Sequence, residues 1–280
     1  MTDQNLIDAV KQIARKAGEA ILAIYGLEDR GIQSKVDETP VTIADLKAND
    51  IIVNGLQALE PLYPILSEES KHDTLKVRTE WHRYWLVDPL DGTQEFINRN
   101  GQFAVNIALM EKSDDGHSYP VFGVVHIPVG NICYWGGLGL GAFRQTNDES
   151  AVAIKPRQFQ REQEVVALGS RSYKTERAVL FAQQLQAVFP NLEVRAVGSA
   201  LKTCLVAEGT ADFYPRLGPT SEWDTGAPQG VVEGAGGLLL DPEGQRFSYN
   251  FKESLLNSDF LVVGDINTPW KSFWNQKTLS

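Results

Sequence analysis

The sequence predicts a protein of mixed α and β structure in two parts: an α+β half over residues 1–150 and an α/β half over residues 151–280. Three observations carry this expectation. Apolar residues recur at helical spacing near the N-terminus, strand-like runs joined by tight turns fill the middle, and from about Ala151 strand-like and helix-like segments alternate. At 280 residues, with 42% hydrophobic and 22% charged side chains, the chain is long enough for one large core or two and has an ordinary globular composition.

In chain order, Leu6, Ile7, Val10, Ile13, Ala14, Ala17, Ile21 and Ile24 share one helical face, giving an amphipathic helix that ends near Gly26. The chain then turns at Thr39-Pro40-Val41-Thr42, and residues 43–59 give a second helix closed by Glu60-Pro61. Asp45 lies near its start, where a carboxylate is favoured by the helix dipole alone, so a solvated helix-start acid and a functional acid read equally well. Tyr63-Pro64-Ile65-Leu66 is a short strand ending in Ser67-Glu68-Glu69-Ser70, and the polar stretch 72–83 is expected to be a surface connection. Trp85-Leu86-Val87 reads as a buried strand that runs into Asp88 and Asp91, with Gly92 and Thr93 leading into a helix start. Residues 103–110, 121–127 and 132–135 read as strands, with a turn at 128–131 and a Gly-rich turn into Ala142-Phe143-Arg144, so antiparallel hairpins are expected. Beyond Ala151, strands at 165–168 and 192–197 precede helices at 174–188 and 200–208. A strand at 211–214, a helix at 223–233 and strands at 237–240 and 260–263 complete the pattern.

Several function classes are disfavoured. A net charge of −10 argues against sequence-independent nucleic-acid binding, which needs a basic surface. An anionic small-molecule substrate would need the local field reversed by divalent cations or by placed Lys and Arg side chains. No apolar run is long enough to span a bilayer and the opening MTDQNLIDAVKQIARK has no apolar signal core, so a cytoplasmic protein is expected. Peripheral contact with the cytoplasmic face of the inner membrane stays open, as does the choice between monomer and homodimer. Cys133 and Cys204 form no C-x-x-C pair and are expected to be buried free thiols. His72, His82, His117 and His126 lack zinc-ligand spacing, and His126, on a strand, is expected to be structural. There is no G-x-S-x-G elbow and no Walker or Rossmann pattern; the glycines from Gly136 to Gly141 lack a following helix and read as a hairpin turn.

Carboxylates remain. Taken singly, Asp88-Pro89-Leu90-Asp91-Gly92 fits a turn held by Asx side chains, Glu68-Glu69 a solvated loop, and Glu222-Trp223-Asp224 a helix start. Together, three acid clusters sit at element boundaries, and one carries Gly92-Thr93 beside a helix N-terminus. That combination suits a hard divalent ion, of which magnesium is the natural choice, next to a phosphate. Two such ions about 3.5–4 Å apart can clamp the attacking and leaving oxygens of a phosphoryl transfer. The haloacid-dehalogenase phosphatases are a rival, but their paired acids stand two residues apart whereas Asp88 and Asp91 stand three apart.

Thr42-Ile43-Ala44-Asp45, Ser67-Glu68-Glu69-Ser70, residues 85–97 and Trp223-Asp224-Thr225-Gly226-Ala227, in this order and across nearly the whole chain, resemble a known family. It is the magnesium-dependent, lithium-sensitive phosphatase family of inositol monophosphatase, fructose-1,6-bisphosphatase and the 3'(2'),5'-bisphosphate nucleotidases. Gln94-Glu95-Phe96-Ile97 after Gly92-Thr93, and the run from Tyr214 to Asp224, look most similar to its bacterial bisphosphate nucleotidases of the CysQ type. The resemblance implies a layered αβαβα sandwich with the active site between the two halves. It also implies hydrolysis of 3'-phosphoadenosine 5'-phosphate to AMP and phosphate in sulfur assimilation, with 3'-phosphoadenylyl sulfate as a further candidate substrate.

Residue by residue, the resemblance implies that Glu68, Asp88 and the Leu90 carbonyl hold one Mg2+ and that Asp88, Asp91 and Asp224 hold a second, with a third, looser ion near Glu68. Thr93, hydrogen-bonded to Asp45, would orient and deprotonate the water, and the N–H groups of Gly92 and Thr93 would bind phosphate. Glu68, Leu90, Asp91 and Asp224 would border the substrate. Gly198, Ser199 and Lys202 would face the nucleoside side, with Lys202 as the cation for the other phosphate. Arg216 is either a second cation or a tie within its own loop. Tyr173 stands where many relatives carry histidine, which leaves the base contact open. Two alternatives remain: an inositol monophosphatase or other sugar-phosphate phosphatase, and a non-catalytic nucleotide-binding protein, against which no expected ligand is replaced.

Overall fold

The computed structural model describes residues 4–28, 33–34, 40–69, 77–160, 163–171 and 176–268; Thr39, Ser70, His72, Tyr173 and Lys174 lie outside them. Helix α1 (Gln4–Tyr25) is the amphipathic helix, burying Ile7, Val10, Ala14, Ala17 and Ile21. Strands β1 (Gln33–Ser34) and β2 (Pro40–Val41) pair antiparallel. Helix α2 (Ile43–Gln57) starts at Thr42, whose hydroxyl accepts from the Ala44 N–H at 3.1 Å. There follow β3 (Ile65–Ser67), a single 3-10 turn at Arg78–Glu80, β4 (Arg83–Asp91) and the short helix α3 (Thr93–Ile97). Strands β5 (Ala104–Lys112), β6 (Ser118–Ile127), β7 (Ile132–Gly137), β8 (Gly141–Thr146) and β9 (Val152–Ala153) complete a seven-stranded sheet in the order β3-β4-β5-β6-β7-β8-β9. Its pairs are antiparallel apart from the parallel β3–β4 pair.

The rest of the chain alternates: β10 (Val165–Ser170), α4 (Glu176–Val188), β11 (Leu192–Val197), α5 (Leu201–Ala207), β12 (Phe213–Arg216) and α6 (Glu222–Ala235). Strands β13 (Leu238–Leu240) and β14 (Phe260–Val263) close a five-stranded sheet in the order β11-β10-β12-β14-β13. The crossovers through α4 and α5 give parallel β10–β11 and β10–β12 pairs, while β14 runs antiparallel to both neighbours.

Period-two alternation sorts the strands into layers. On β4, Trp85 and Val87 face the core under α1 and α2, with Ile107 and Leu109 of β5. Tyr84 and Leu86 point the other way, into a core shared with α5, α6 and Val166 and Leu168 of β10. The opposite face of β10, Val165 and Ala167, packs on Phe181 and Leu185 of α4. The order is helix, sheet, helix, sheet, helix, the αβαβα sandwich that the sequence implies.

Helix α6 meets the large sheet backbone to backbone where both carry glycine. A Cβ on Gly230 would stand 2.6 Å from the Gly123 nitrogen, and one on Gly234 would stand 2.4 Å from the Gly141 oxygen; on the sheet, a Cβ on Gly123 would meet the Ala227 oxygen at 2.1 Å. Backbone against backbone leaves nothing that can rotate away. Gly→Ala in an exposed helix stabilises by about 1 kcal/mol. Gly230→Ala is expected to reverse that sign and cost about 1–3 kcal/mol through overpacking, as measured by urea unfolding.

Two polar side chains are buried more deeply than their residue types usually are. Where the stretch 72–83 is described it is mostly exposed or half-exposed, as expected of a surface connection, but Arg78 is fully buried, because Glu222 and Asn250 hydrogen-bond its guanidinium and Glu222 neutralises it. His126 is buried, as expected of a structural histidine, with its ring against Gly18. Its Nδ1, however, meets no hydrogen-bond partner among the described residues. Burial, helped by the nearby Arg15 charge, lowers its pKa to about 4. The unfolded chain therefore binds a proton near pH 6.5 that the folded chain refuses until about pH 4. This contribution is complete above pH 6.5 and is lost as pH falls. The group alone is expected to remove about 2 kcal/mol between pH 7 and pH 5, a component absent from His126→Gln in urea unfolding at the two pH values.

Candidate active site

The end of β4 organises the site. The ladder with β5 runs in register to Asp88, opposite Asn106, then shifts before Asp91 pairs with Ala104. This irregularity brings both acids to one place although three positions separate them, which strict alternation would not allow. Inside it the Leu90 N–H donates to Asp88 Oδ1 at 3.1 Å, the Asx geometry that the sequence alone permitted. Strand structure thus continues through the acids rather than stopping before them. Gly92 follows with φ of +92°, a conformation open to glycine, and turns the chain into α3.

Other elements bring in the remaining acids. One oxygen from each of Asp88, Asp91 and Asp224 lies within 4.8 Å of the others, so the start of α6 meets the end of β4. Asp224 also accepts from the Ser221 N–H at 2.7 Å, so it caps its helix as well as facing the cluster. Glu68 sits in the turn after β3, and its own N–H donates to the Val87 oxygen at 3.1 Å, tying that turn to β4. Asp45, in the first turn of α2, takes the Thr42 N–H and hydroxyl on Oδ2 at 2.7 and 2.6 Å. Its Oδ1 accepts from the Thr93 hydroxyl at 3.2 Å, and the same hydroxyl stands 3.4 Å from the Leu90 carbonyl oxygen.

These groups open on a cavity of about 360 Å³, lined by Glu68, Asp88, Asp91 and Asp224, by Leu90, Gly92 and Thr93, and by Ser199, Lys202 and Arg216. The chain from Gly198 to Ala200 crosses to the acids: the Gly198 N–H donates to Gln102 Oε1 at 2.8 Å and the Ala200 N–H donates to Asp91 Oδ2. A Cβ on Gly198 would stand 2.5 Å from Glu95, and Ser199 adopts a φ of +50°. Lys202 is buried, its ammonium donating to the Ser199 and Val197 oxygens at 2.7 and 3.3 Å. Arg216 donates to the Pro219 oxygen at 2.9 Å, the tie within its own loop, while also bordering the cavity.

Crowding of like charges dominates the electrostatics. Burial first, then the charges of Glu68, Asp91 and Asp224, raise the Asp88 pKa well above the carboxylate range. Burial, with Asp91 and Glu68, raises Asp224 to about 7, and burial raises Asp91 against the pull of Lys202. Asp45 rises to about 6, again mainly by burial and despite its Thr42 hydrogen bonds. Burial lowers Lys202 to about 8, opposed by Asp91. Three mutually repelling oxygen donors, with the carbonyl of Leu90 and the carboxylate of Glu68 on the same cavity wall, fit a hard divalent cation, whose charge would offset that repulsion.

Three participants went unassigned in the sequence reading. Glu95 is buried and borders the cavity; Gln102 holds Gly198; Asn106 donates to Asp91 Oδ2 at 3.3 Å. Asn106 did carry a signal, being the polar residue inside the apolar run 103–110. Glu95 stood in the run 94–97 that carries the resemblance but had no role of its own there, and Gln102 carried no signal, since a polar residue in a loop ordinarily faces solvent.

Comparison with known proteins places the chain. It is 42% identical over 258 residues to the 3'(2'),5'-bisphosphate nucleotidase CysQ of Escherichia coli (strain K12), covering 92% of this chain and 99% of that protein. It is 35% identical over 273 residues to the protein of the same name from Haemophilus influenzae, covering 97% of each. Among solved structures, CysQ from Bacteroides thetaiotaomicron, described as a bacterial member of the inositol monophosphatase family, superposes with a TM-score of 0.79 at 37% identity, over 93% of this chain and 97% of that one. The profile of the inositol monophosphatase family matches residues 2–270, so the chain that brings Asp224 to Asp88 and Asp91 belongs to the inositol monophosphatase family.

Proposed function

We propose that the chain is a magnesium-dependent phosphatase that removes the 3'-phosphate of 3'-phosphoadenosine 5'-phosphate, giving AMP and phosphate in sulfur assimilation, and that it also accepts 3'-phosphoadenylyl sulfate. The observation that carries the reading is the convergence of Asp88, Asp91 and Asp224 beside the Asp45–Thr93 hydrogen bond, on one cavity. The nucleotide substrate is supported by the similarity to the CysQ nucleotidases.

The family is metal-dependent, and the metal assigned here is Mg2+ because every donor is a hard oxygen. Glu68, Asp88 and the Leu90 carbonyl would hold one ion, Asp88, Asp91 and Asp224 would hold a second, and a third, looser ion would sit near Glu68. When bound, the ions supply Lewis-acid activation of water and charge neutralisation at the leaving oxygen. Asp45, its Oδ2 held by Thr42, keeps Oδ1 for the Thr93 hydroxyl, so Thr93 can pass a proton to it while its own oxygen accepts one from water. The N–H groups of Gly92 and Thr93 bind the phosphate oxygens. Lys202 and Ser199 border the same cavity, and with the neighbouring Gly198 they would hold the nucleoside and its 5'-phosphate.

Asp91→Asn is expected to lower magnesium-supported phosphate release by about two orders of magnitude or more. The metal-free variant should melt close to wild type, because a crowded charge is removed and no core cavity is created, while the magnesium-induced rise in Tm shrinks. Wild-type turnover in Asp91→Asn would overturn the metal assignment. Substrate class is tested by a panel of 3'-phosphoadenosine 5'-phosphate, inositol 1-phosphate and fructose 1,6-bisphosphate, with and without lithium. The bisphosphate nucleotide is expected to be hydrolysed fastest, with lithium inhibiting. Faster release from inositol 1-phosphate would reassign the chain to a sugar-phosphate phosphatase, and nucleotide binding without any release would make it a non-catalytic member.

A further inference from the structure

We propose that Arg78 is a positioning residue for Asp224, acting through its buried ion pair with Glu222 to fix the first turn of α6 against the 3-10 turn at Arg78–Glu80. The inference rests on the assignment of Asp224 to the metal cluster. Glu222 is in the first turn of α6, two positions before Asp224, and both members of the pair are buried, with side chains 0% and 1% exposed.

The guanidinium joins three separate segments. Nη1 donates to Glu222 Oε2 at 3.0 Å and to Asn250 Oδ1 at 2.8 Å, and Nη2 donates to the Lys252 oxygen at 2.6 Å, with the Glu253 and Ser254 oxygens at 3.3 and 3.4 Å. Asn250 closes the ring: its N–H donates to Glu222 Oε1 at 3.2 Å, and its Nδ2 donates to the Arg78 oxygen at 2.7 Å. Asn250 adopts a φ of +58°, a left-handed conformation sustained by this set of contacts. The Glu222 N–H itself donates to the Leu255 oxygen at 2.9 Å. Translation or rotation of the α6 N-terminus must therefore break directional hydrogen bonds.

Stability alone is a poor account of such a pair. Desolvation cancels much of the attraction between buried charges, and apolar residues of similar size often serve as well. A planar fork with fixed donor directions offers what apolar packing does not, a single orientation. Orientation matters here because metal affinity depends on where Asp224 stands relative to Asp88 and Asp91, and supporting contacts around ligands commonly change affinity 10–100-fold.

The test separates orientation from folding. Arg78→Met/Glu222→Met removes both charges, and Arg78→Lys keeps the charge but loses the fork. Mn2+ affinity is measured by calorimetry and Tm by thermal melting, alongside the Mg2+ concentration for half-maximal phosphate release. The double variant is expected to melt cooperatively at a reduced Tm, because Asn250 and the Lys252 oxygen lose their partners, while the Mn2+ affinity of its folded form falls about tenfold, with Arg78→Lys moving in the same direction. Wild-type Mn2+ affinity in a folded double variant would overturn the proposal. Should the double variant fail to fold, unchanged Mn2+ affinity in Arg78→Lys would overturn it equally. Asp224→Asn is measured in parallel: unchanged affinity there refutes the metal assignment itself, whereas lost affinity there with unchanged affinity in the pair variants refutes only the role of Arg78.

Discussion

The seating of α6 on the seven-stranded sheet is the contact on which the rest depends. Gly123, Gly230 and Gly234 let helix and sheet backbones meet directly, so the helix position is set by hard contacts rather than by adjustable side chains. The same helix fills the middle layer between the two sheets and begins with Asp224 in its first turn. Core packing and site assembly are therefore one problem. A shift of the helix that loosened the core would also separate Asp224 from the β4 acids, and neither sheet could absorb it alone.

The site works against the stability of the protein around it. Buried carboxylates that raise one another's pKa are costly in the absence of a counter-charge. The chain places cations and N–H donors around them without cancelling them: Lys202 lowers the Asp91 pKa, and Ala200 and Asn106 donate to its carboxylate. An excess of negative charge on oxygen donors is the kind of environment that suits a hard divalent cation. In the proposed function such a cation would also let a chain of net charge −10 handle an anionic ligand, by reversing the local sign.

Much of the fold was legible because periodicity survives without any knowledge of partners. The opening helix, the 192–197 and 260–263 strands and the hairpin at the Gly136–Gly141 run were each announced by local pattern. The acid clusters at element boundaries were legible for the same reason. Arg78 was not, because a polar segment looks solvated until the partner that buries it is known, and Glu222 is 144 positions away. The irregularity between Asp88 and Asp91 was hidden too, since spacing alone cannot distinguish a turn after a strand from a shift within one. Nor was the glycine face of α6 read as such: glycines four apart in a helix are a packing surface only if a second backbone comes to meet them.

The acids that line the cavity are Glu68, Asp88, Asp91, Glu95 and Asp224, with Asp45 bonded to the cavity's Thr93, so the last arrives long after the others as the chain is synthesised. Until α6 emerges, the sheet face carrying Leu86, Ala108 and Met110 has no cover, and the β4 acids lack Asp224, Ala200 and Lys202. A nascent or truncated chain thus has neither a finished core nor a finished site. Core and site are therefore completed by the same element, the helix that closes the middle layer.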